Sequence, residues 1–290
     1  MKKIAFLIIL QLQMVVTSSH AVTWQEDVEA WRSARVASLT KPHGWLSLIG
    51  MEWLKNGENT IGSAEDNSIV LPHGPKYIGS FKLSDEKIEF TPVKGVQINV
   101  DDKAIESTIP VYMDSSDDTT VFTIDSFLFY VIERGKPALR IKDSASQDIK
   151  NFKGIEYFPL DENFLVEAEF IPYEPVKEIE IINVLGLLSK ETALGKLSFD
   201  IKGQNYKLDV MDADDEFYII FADKTSGRTT YGPGRFLYVN KPTANNMTTI
   251  NFHKAYNPPC AFSDYSTCPL PPPQNRIPVF IEAGEKKYMR

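Results

Sequence analysis

Across residues 56–143 apolar side chains recur at every second position in short pieces, and most pieces end at a turn signal. A period of two sends one face of an extended strand into a core and the other into water. Asn56-Gly57 is a tight-turn signal. Phe81-Lys82-Leu83 and Ile88-Glu89-Phe90 alternate around the polar Ser84-Asp85-Glu86, and Val96-Gln97-Ile98-Asn99-Val100 alternates up to Asp101-Asp102. Residues 121–132 are denser in Phe, Ile and Tyr and read as a buried pair of strands, with Ala138-Leu139-Arg140-Ile141 closing the set. Short strands at this spacing predict a β-sandwich.

Residues 143–154 are polar and read as a linker or surface segment. A second β region follows. Residues 164–171 and 176–184 alternate apolar with charged side chains. Residues 196–201, 206–211 and 216–221 read as a meander with turns at 202–205 and 212–215, continued by 229–239 and 248–252. After Asn257 the pattern fails. Pro258-Pro259, Pro269, Pro271-Pro272-Pro273 and Pro278 remove ladder donors, so the tail is predicted to be stiff and irregular. Before the strands, Thr23-Trp24-Gln25-Glu26 fits a capping box, Val28, Trp31 and Ala34 recur at helical spacing, and Pro42 stops the helix. Trp24 and Trp31 read as packing on the body of the protein, with ligand contact as the alternative. The predicted fold is mainly β: an N-terminal helix and β-sandwich over 22–150, then a second antiparallel β region with a Pro-rich irregular tail over 151–290.

The first 21 residues have a different character. Lys2 and Lys3 precede an apolar run over 4–16, broken by Gln11 and Gln13, and Ser19-His20-Ala21 follows. This is the layout of a signal peptide cleaved near Ala21, which predicts a periplasmic or extracellular protein. A membrane anchor is the alternative, but a spanning helix needs about 20 apolar residues and this run is shorter. No Cys lies at the cut, and no later stretch is apolar enough to span a bilayer. Apolar residues at 43% and charged residues at 24% are ordinary for a globular chain. The net charge of −8 removes nucleic acid from the expected partners and gives no overall attraction to an anionic membrane. Cys260 and Cys268 are the two cysteines, and an exported chain with an even count predicts a disulfide between them.

Two blocks carry a family resemblance. The first is Gly44-Trp45-Leu46-Ser47-Leu48 with Trp53-Leu54, Gly57 and Ile61-Gly62-Ser63. The second runs from Thr230-Tyr231-Gly232-Pro233-Gly234-Arg235-Phe236-Leu237 through Ala255-Tyr256-Asn257-Pro258-Pro259-Cys260-Ala261-Phe262 and Thr267-Cys268-Pro269-Leu270-Pro271-Pro272. It ends with Asn275-Arg276 and Glu282-Ala283-Gly284-Glu285. They resemble the bacterial domain of unknown function 1684 family over nearly all of the chain past residue 21, which implies membership and no activity. The family pattern has Asp and Asn around the Phe where this chain has Asn251 and His253, which argues against an essential carboxylate at 251. The first β region also resembles a forkhead-associated (FHA-like) β-sandwich through Gly57 to Ser63 and Asn67-Ser68-Ile69-Val70-Leu71. That resemblance implies the fold. It does not imply phosphothreonine binding, because Ser63 stands where those domains place an Arg and their His before the second strand is missing.

There is no Gly-x-Ser-x-Gly elbow, no His-Glu-x-x-His and no phosphate loop. His43 and His73 sit beside Pro and Gly and read as surface loop residues. The polar residues of the tail are the candidate site. Tyr231, Arg235, Tyr256, Asn257, Asn275 and Arg276 are candidate ligand-binding residues, and Glu282 and Tyr231 are candidate acid-base residues. Their alternative role is structural: Asn257, Asn275 and Arg276 satisfying the backbone of a ladder-free tail, and Arg235 bridging to Glu282. Asp212, Asp214 and Asp215 lack calcium-loop spacing and read as a solvated turn. His253 with the two cysteines fits no common zinc spacing, so no metal and no cofactor is expected. The expected function is a ligand-binding module of the cell envelope for a small molecule or envelope component, with a hydrolase and a structural envelope protein as alternatives.

Overall fold

The computed structural model describes residues 22–289 other than 86 and 244, so the predicted signal peptide lies outside the described residues. Helix α1 (Trp24–Thr40) starts on the expected capping box, with the Thr23 and Glu26 side chains each bonded to the other's backbone. The first half then runs through strands β1 (Leu48–Trp53), β2 (Gly57–Gly62), β3 (Ile69–Val70), β4 (Gly79–Ser84), β5 (Lys87–Pro92), β6 (Ile98–Val100), β7 (Lys103–Ile105), β8 (Ile109–Val111), β9 (Phe122–Ile124), β10 (Phe127–Glu133) and β11 (Pro137–Asp143). They make two sheets, ordered β3-β2-β4-β5-β8 and β1-β11-β10-β9-β6-β7.

The two sheets share one core. Phe81 of β4 and Phe90 of β5 meet Phe122 of β9 and Phe129 of β10, with ring centroids 4.7 Å apart for Phe90–Phe122 and 5.5 Å for Phe81–Phe122. Alternation in these strands does the sorting: β4 and β5 each bury every second residue.

The second half adds a short helix α2 (Gln147–Asn151), then β12 (Leu165–Ile182), β13 (Leu188–Ile201), β14 (Gln204–Ala213), β15 (Glu216–Phe221), β16 (Arg235–Asn240) and β17 (Met247–Asn251). Helix α2 occupies the segment read as a linker; the Ser146 side chain caps it at the Ile149 N–H. The six strands form one sheet, ordered β16-β15-β14-β13-β12-β17. Residues 164–171 and 176–184 read as two strands but lie almost wholly in one, β12, with a register shift between Pro172 and Lys177. The predicted strand over 229–239 begins only at Arg235, because residues 223–230 turn back on themselves through hydrogen bonds from the Arg228, Thr229 and Thr230 amides to the Thr225 carbonyl.

A single sheet needs a second layer for its apolar face. Here the tail provides it. Residues 252–289 contain no strand among the described residues, only isolated bridges and 3-10 turns. Phe252, Ile277, Ile281 and Ala283 pack against Phe199, Leu208, Phe221 and Leu237 in one buried cluster. On the opposite face Cys268 joins Ile181, Met211 and Phe236, and the Cys260–Cys268 disulfide closes a loop with Cα atoms 6.1 Å apart.

Helix α1 rests on the C-terminal half rather than on the sandwich that follows it. Trp24 stacks on His253 at 5.4 Å, Trp31 meets Tyr256 at 6.2 Å, and Arg35 reaches Glu285 at 2.9 Å. The expectation that Trp24 and Trp31 pack on the body of the protein is met by these contacts.

Phe122 is fully buried at the centre of the sandwich. Phe122→Ala is predicted to cost about 3–5 kcal/mol of stability, read as a fall in the denaturant midpoint.

Candidate functional site

The candidate residues of the tail do not converge on one opening. Arg235, on β16, is 1% exposed. Its guanidinium faces the Asp223 carboxylate at 3.3 Å and donates to the carbonyls of Ile281 at 3.0 Å and of Ala283. Asp223 in turn accepts the Ile281 N–H at 2.8 Å and the Thr225 hydroxyl at 2.6 Å. The alternative bridge from Arg235 to Glu282 is therefore corrected: the partner is Asp223, and Glu282 is exposed. A buried guanidinium needs a carboxylate in the same dry environment, and an exposed Glu cannot serve it.

Asn275 is buried and makes three bonds to backbone. It donates to the carbonyls of Asp209 at 2.9 Å and Ile220 at 3.0 Å, and it accepts the Asp209 N–H at 2.7 Å. Asn257 is also buried; its side chain donates to the Lys286 carbonyl at 2.8 Å, and its own N–H donates to Glu285 at 2.7 Å. Glu285 is buried, which raises its pKa against the opposing pull of Arg35 and the Asn257 N–H. Tyr256 is half-buried, with the Arg35 guanidinium 4.6 Å from its ring centre and the Tyr238 ring stacked at 6.3 Å. Tyr231 is half-buried beside the Leu39 and Phe262 cluster, and Arg276 is exposed. The buried members of this set fasten the tail. Arg235 and Asn257 share one neighbourhood through Glu285, while Asn275 stands apart on β14 and β15.

A cleft of about 600 Å³ opens elsewhere, between the sandwich and the tail. Its walls include Ile49, Leu71, Pro72 and Tyr265, and its polar groups include His73, Asp143 and Lys150. His73 Nε2 and Asp143 Oδ2 are 2.8 Å apart. The Asp143 carboxylate is buried and also accepts the Ala145 N–H at 2.8 Å. Burial pushes its pKa up, but hydrogen bonds from Ser126, Ala145 and His73 together outweigh burial and hold it below the ordinary 3.8. Phe127 packs on the His73 ring with centroids 4.5 Å apart. The carboxylate fixes the ring through Nε2, which leaves Nδ1 as the nitrogen able to meet a ligand. As a neutral ring donating Nε2–H to Asp143, His73 accepts at Nδ1 and can take a proton; as an imidazolium it donates there to an acceptor group.

Sequence reading placed His73 in a surface loop, and its side chain is indeed half exposed. What it missed was the partner 70 residues away, which only the strand order brings close. The available signals were local: Pro72 and Gly74 pin the loop, and Asp143 ends β11 just before the Ser146 cap of α2.

Both cysteines are in the disulfide, and His253 is buried with Nε2 2.9 Å from the Asp161 carbonyl, so the three do not form a zinc site. Asp212 pairs with Lys241 rather than with its acidic neighbours. Among the described residues no group of three His, Cys, Asp or Glu is placed to hold a metal ion. No helix among them is long and apolar enough to cross a membrane.

The fold and cleft define a β-rich protein of two sheet systems closed by an irregular tail. Residues 150–286 match the model of a family described as "Protein of unknown function (DUF1684)", so this part of the chain is similar to that family. It agrees with the resemblance carried by residues 230–237 and 255–285, whereas the block at 44–63 lies outside the matched span. The forkhead-associated likeness is not addressed by the match. The chain is also similar to an uncharacterized protein of Haloarcula marismortui whose solution NMR structure is solved. The two are 29% identical, the alignment covers 47% of this chain and 78% of that one, and the TM-score is 0.40. No curated protein matches the chain.

Asp223→Asn is predicted to cost about 3–5 kcal/mol in denaturant unfolding, because it removes the one carboxylate in contact with the buried Arg235. The low pKa of Asp143 has a pH signature. Its contribution is whole above the carboxylate's value in the unfolded chain and is lost as the pH falls through the lower folded value. Asp143→Asn is therefore predicted to flatten the fall in stability between about pH 5 and pH 2 relative to the parent.

Proposed function

We propose that this chain is an exported ligand-binding protein of the cell envelope, and that its ligand sits in the cleft of His73, Asp143 and Lys150. The His73–Asp143 pair carries the reading: a buried carboxylate orients an accessible imidazole on the wall of a cleft whose other walls are largely apolar. Ligand sites combine those two features, an apolar body and a few placed polar groups. Lys150, and His73 when protonated, favour a ligand with an acidic or acceptor group, Asp148 on the same wall takes a donor, and Ile49, Leu71, Pro72 and Tyr265 favour a small apolar body attached to it. Export is supported by the charged, apolar and small-residue order of the first 21 residues and by the disulfide.

In this reading Arg235, Asn257 and Asn275 serve the site indirectly. They hold the tail that brings Tyr265 to the cleft. Tyr231, Tyr256, Arg276 and Glu282 line no part of it.

A second reading, hydrolysis, rests on the same pair, with His73 as general base in place of Glu282 or Tyr231. Octanoate and phenylacetate are suitable probes for the binding reading, measured by calorimetry. Lys150→Ala is predicted to weaken binding about tenfold to a hundredfold with the melting temperature unchanged, and His73→Ala to weaken it as much with a lowered melting temperature, because the buried Asp143 loses a hydrogen bond. Equal binding by parent and both variants, or none by the parent, would remove the cleft as the site of such acids. Turnover of p-nitrophenyl octanoate that disappears in His73→Ala would favour the hydrolase, and loss of folding in both variants would favour a structural role.

A further inference from the structure

The distal part of the β12–β13 hairpin extends past the sheet. Residues 177–182 pair with 188–193, while β14 joins β13 only from Ala193 onward. On the outer face of this arm the cross-strand pairs are Glu178–Thr192, Glu180–Lys190 and then Ile182–Leu188 at the end. The arm thus changes from charged to apolar toward its tip. Ile182, Val184, Leu185 and Leu188 are 40–54% exposed there. An apolar end on a charged stem is costly in water unless something covers it.

The arm is held in place. The Val184 N–H donates to the Cys268 carbonyl at 3.0 Å and the Leu270 N–H donates to the Ile182 carbonyl at 2.8 Å, so the disulfide-closed tail braces one edge of it. Its tip also touches the sandwich. Leu187 lines a cleft of about 890 Å³ together with Trp53, Lys55, Arg134 and Lys136. No acidic residue lines that cleft. Arg134 is matched by Asp114 at 2.9 Å, whereas Lys55 and Lys136 take part in no ion pair among the described residues. Trp53 is 41% exposed at the same place.

We infer that this end of the molecule docks on a bilayer containing anionic phospholipid. The apolar tip enters the acyl region, Trp53 lies at the headgroup level, and Lys55 and Lys136 meet lipid phosphates. Three observations select this occupant. The tip presents half-exposed apolar side chains on its outer face, and a fluid apolar phase accepts them without a complementary groove. The exposed apolar side chains of the tip are Ile182, Val184, Leu185 and Leu188, far fewer than the roughly 20–30 residues a side of a stable protein interface, which argues against a second copy. The adjoining cleft carries one sign of charge, and that sign complements phosphate. The attraction is local, since the whole chain is acidic. It is independent of the ligand cleft, which lies at the opposite end of β11.

The test is co-sedimentation of the purified protein with vesicles of phosphatidylcholine alone and of phosphatidylcholine with phosphatidylglycerol. Binding to the mixed vesicles is expected. Leu185→Asp combined with Leu188→Asp is expected to reduce it about tenfold or more, with melting unchanged. Lys55→Glu combined with Lys136→Glu is expected to remove the preference for phosphatidylglycerol, about a tenfold loss. Failure of the parent to bind mixed vesicles, or equal binding by the Leu variant, would overturn the proposal. So would a parent dimer that the Leu variant converts to monomer without any vesicle binding, because a second copy would then be the occupant.

Discussion

The buried pair between Arg235 and Asp223 is the constraint on which the second half depends. Each partner is tied to the tail as well as to the other: Arg235 holds the Ile281 and Ala283 carbonyls, and Asp223 holds the Ile281 N–H. The tail has too many prolines to join a ladder, so its backbone groups need side-chain partners. With those partners in place, Ile277, Ile281 and Ala283 cover the apolar face of the β12–β17 sheet. Such a pair adds little net stability compared with an apolar replacement, but it sets where the tail lies. Asn275 does the same a few residues earlier, by bonding the backbone of β14 and β15.

The same logic continues into helix α1. Glu285 accepts from both Arg35 and the Asn257 N–H, so one carboxylate joins the helix, the turn after β17 and the end of the tail. Arg32 lies over the Tyr157 ring at 4.3 Å and bonds the Phe158 carbonyl at 3.2 Å. Tyr157 bridges to Glu285, and burial raises its hydroxyl pKa beyond the usual tyrosine range. The helix therefore contributes arginines and tryptophans to the C-terminal half, although its sequence neighbours belong to the sandwich.

Much of the β architecture was legible in the sequence because alternation is a local signal. Phe81-Lys82-Leu83 and Ile88-Glu89-Phe90 state their faces outright, and Thr23 and Glu26 state the helix start. The family could be read from the tail motifs because Gly, Pro and Cys at fixed spacing are specific. The geometry of the tail could not. Arg235 advertises a charge, and nothing near it in sequence says that Asp223 neutralises it. The cleft was the least legible feature. His73 and Asp143 are ordinary residues in their own segments and acquire meaning only through the distance that the fold imposes.

Closure by the tail also sets an order of events during synthesis. The cluster that covers the second sheet includes Ile277, Ile281 and Ala283, and Arg35 must wait for a partner 250 residues downstream. While the chain is still being made, the sandwich has its core residues, but the later sheet has an open apolar face and α1 lacks its Tyr256, Phe262 and Glu285 partners. The last few dozen residues are thus what covers the second sheet and completes the seat of α1.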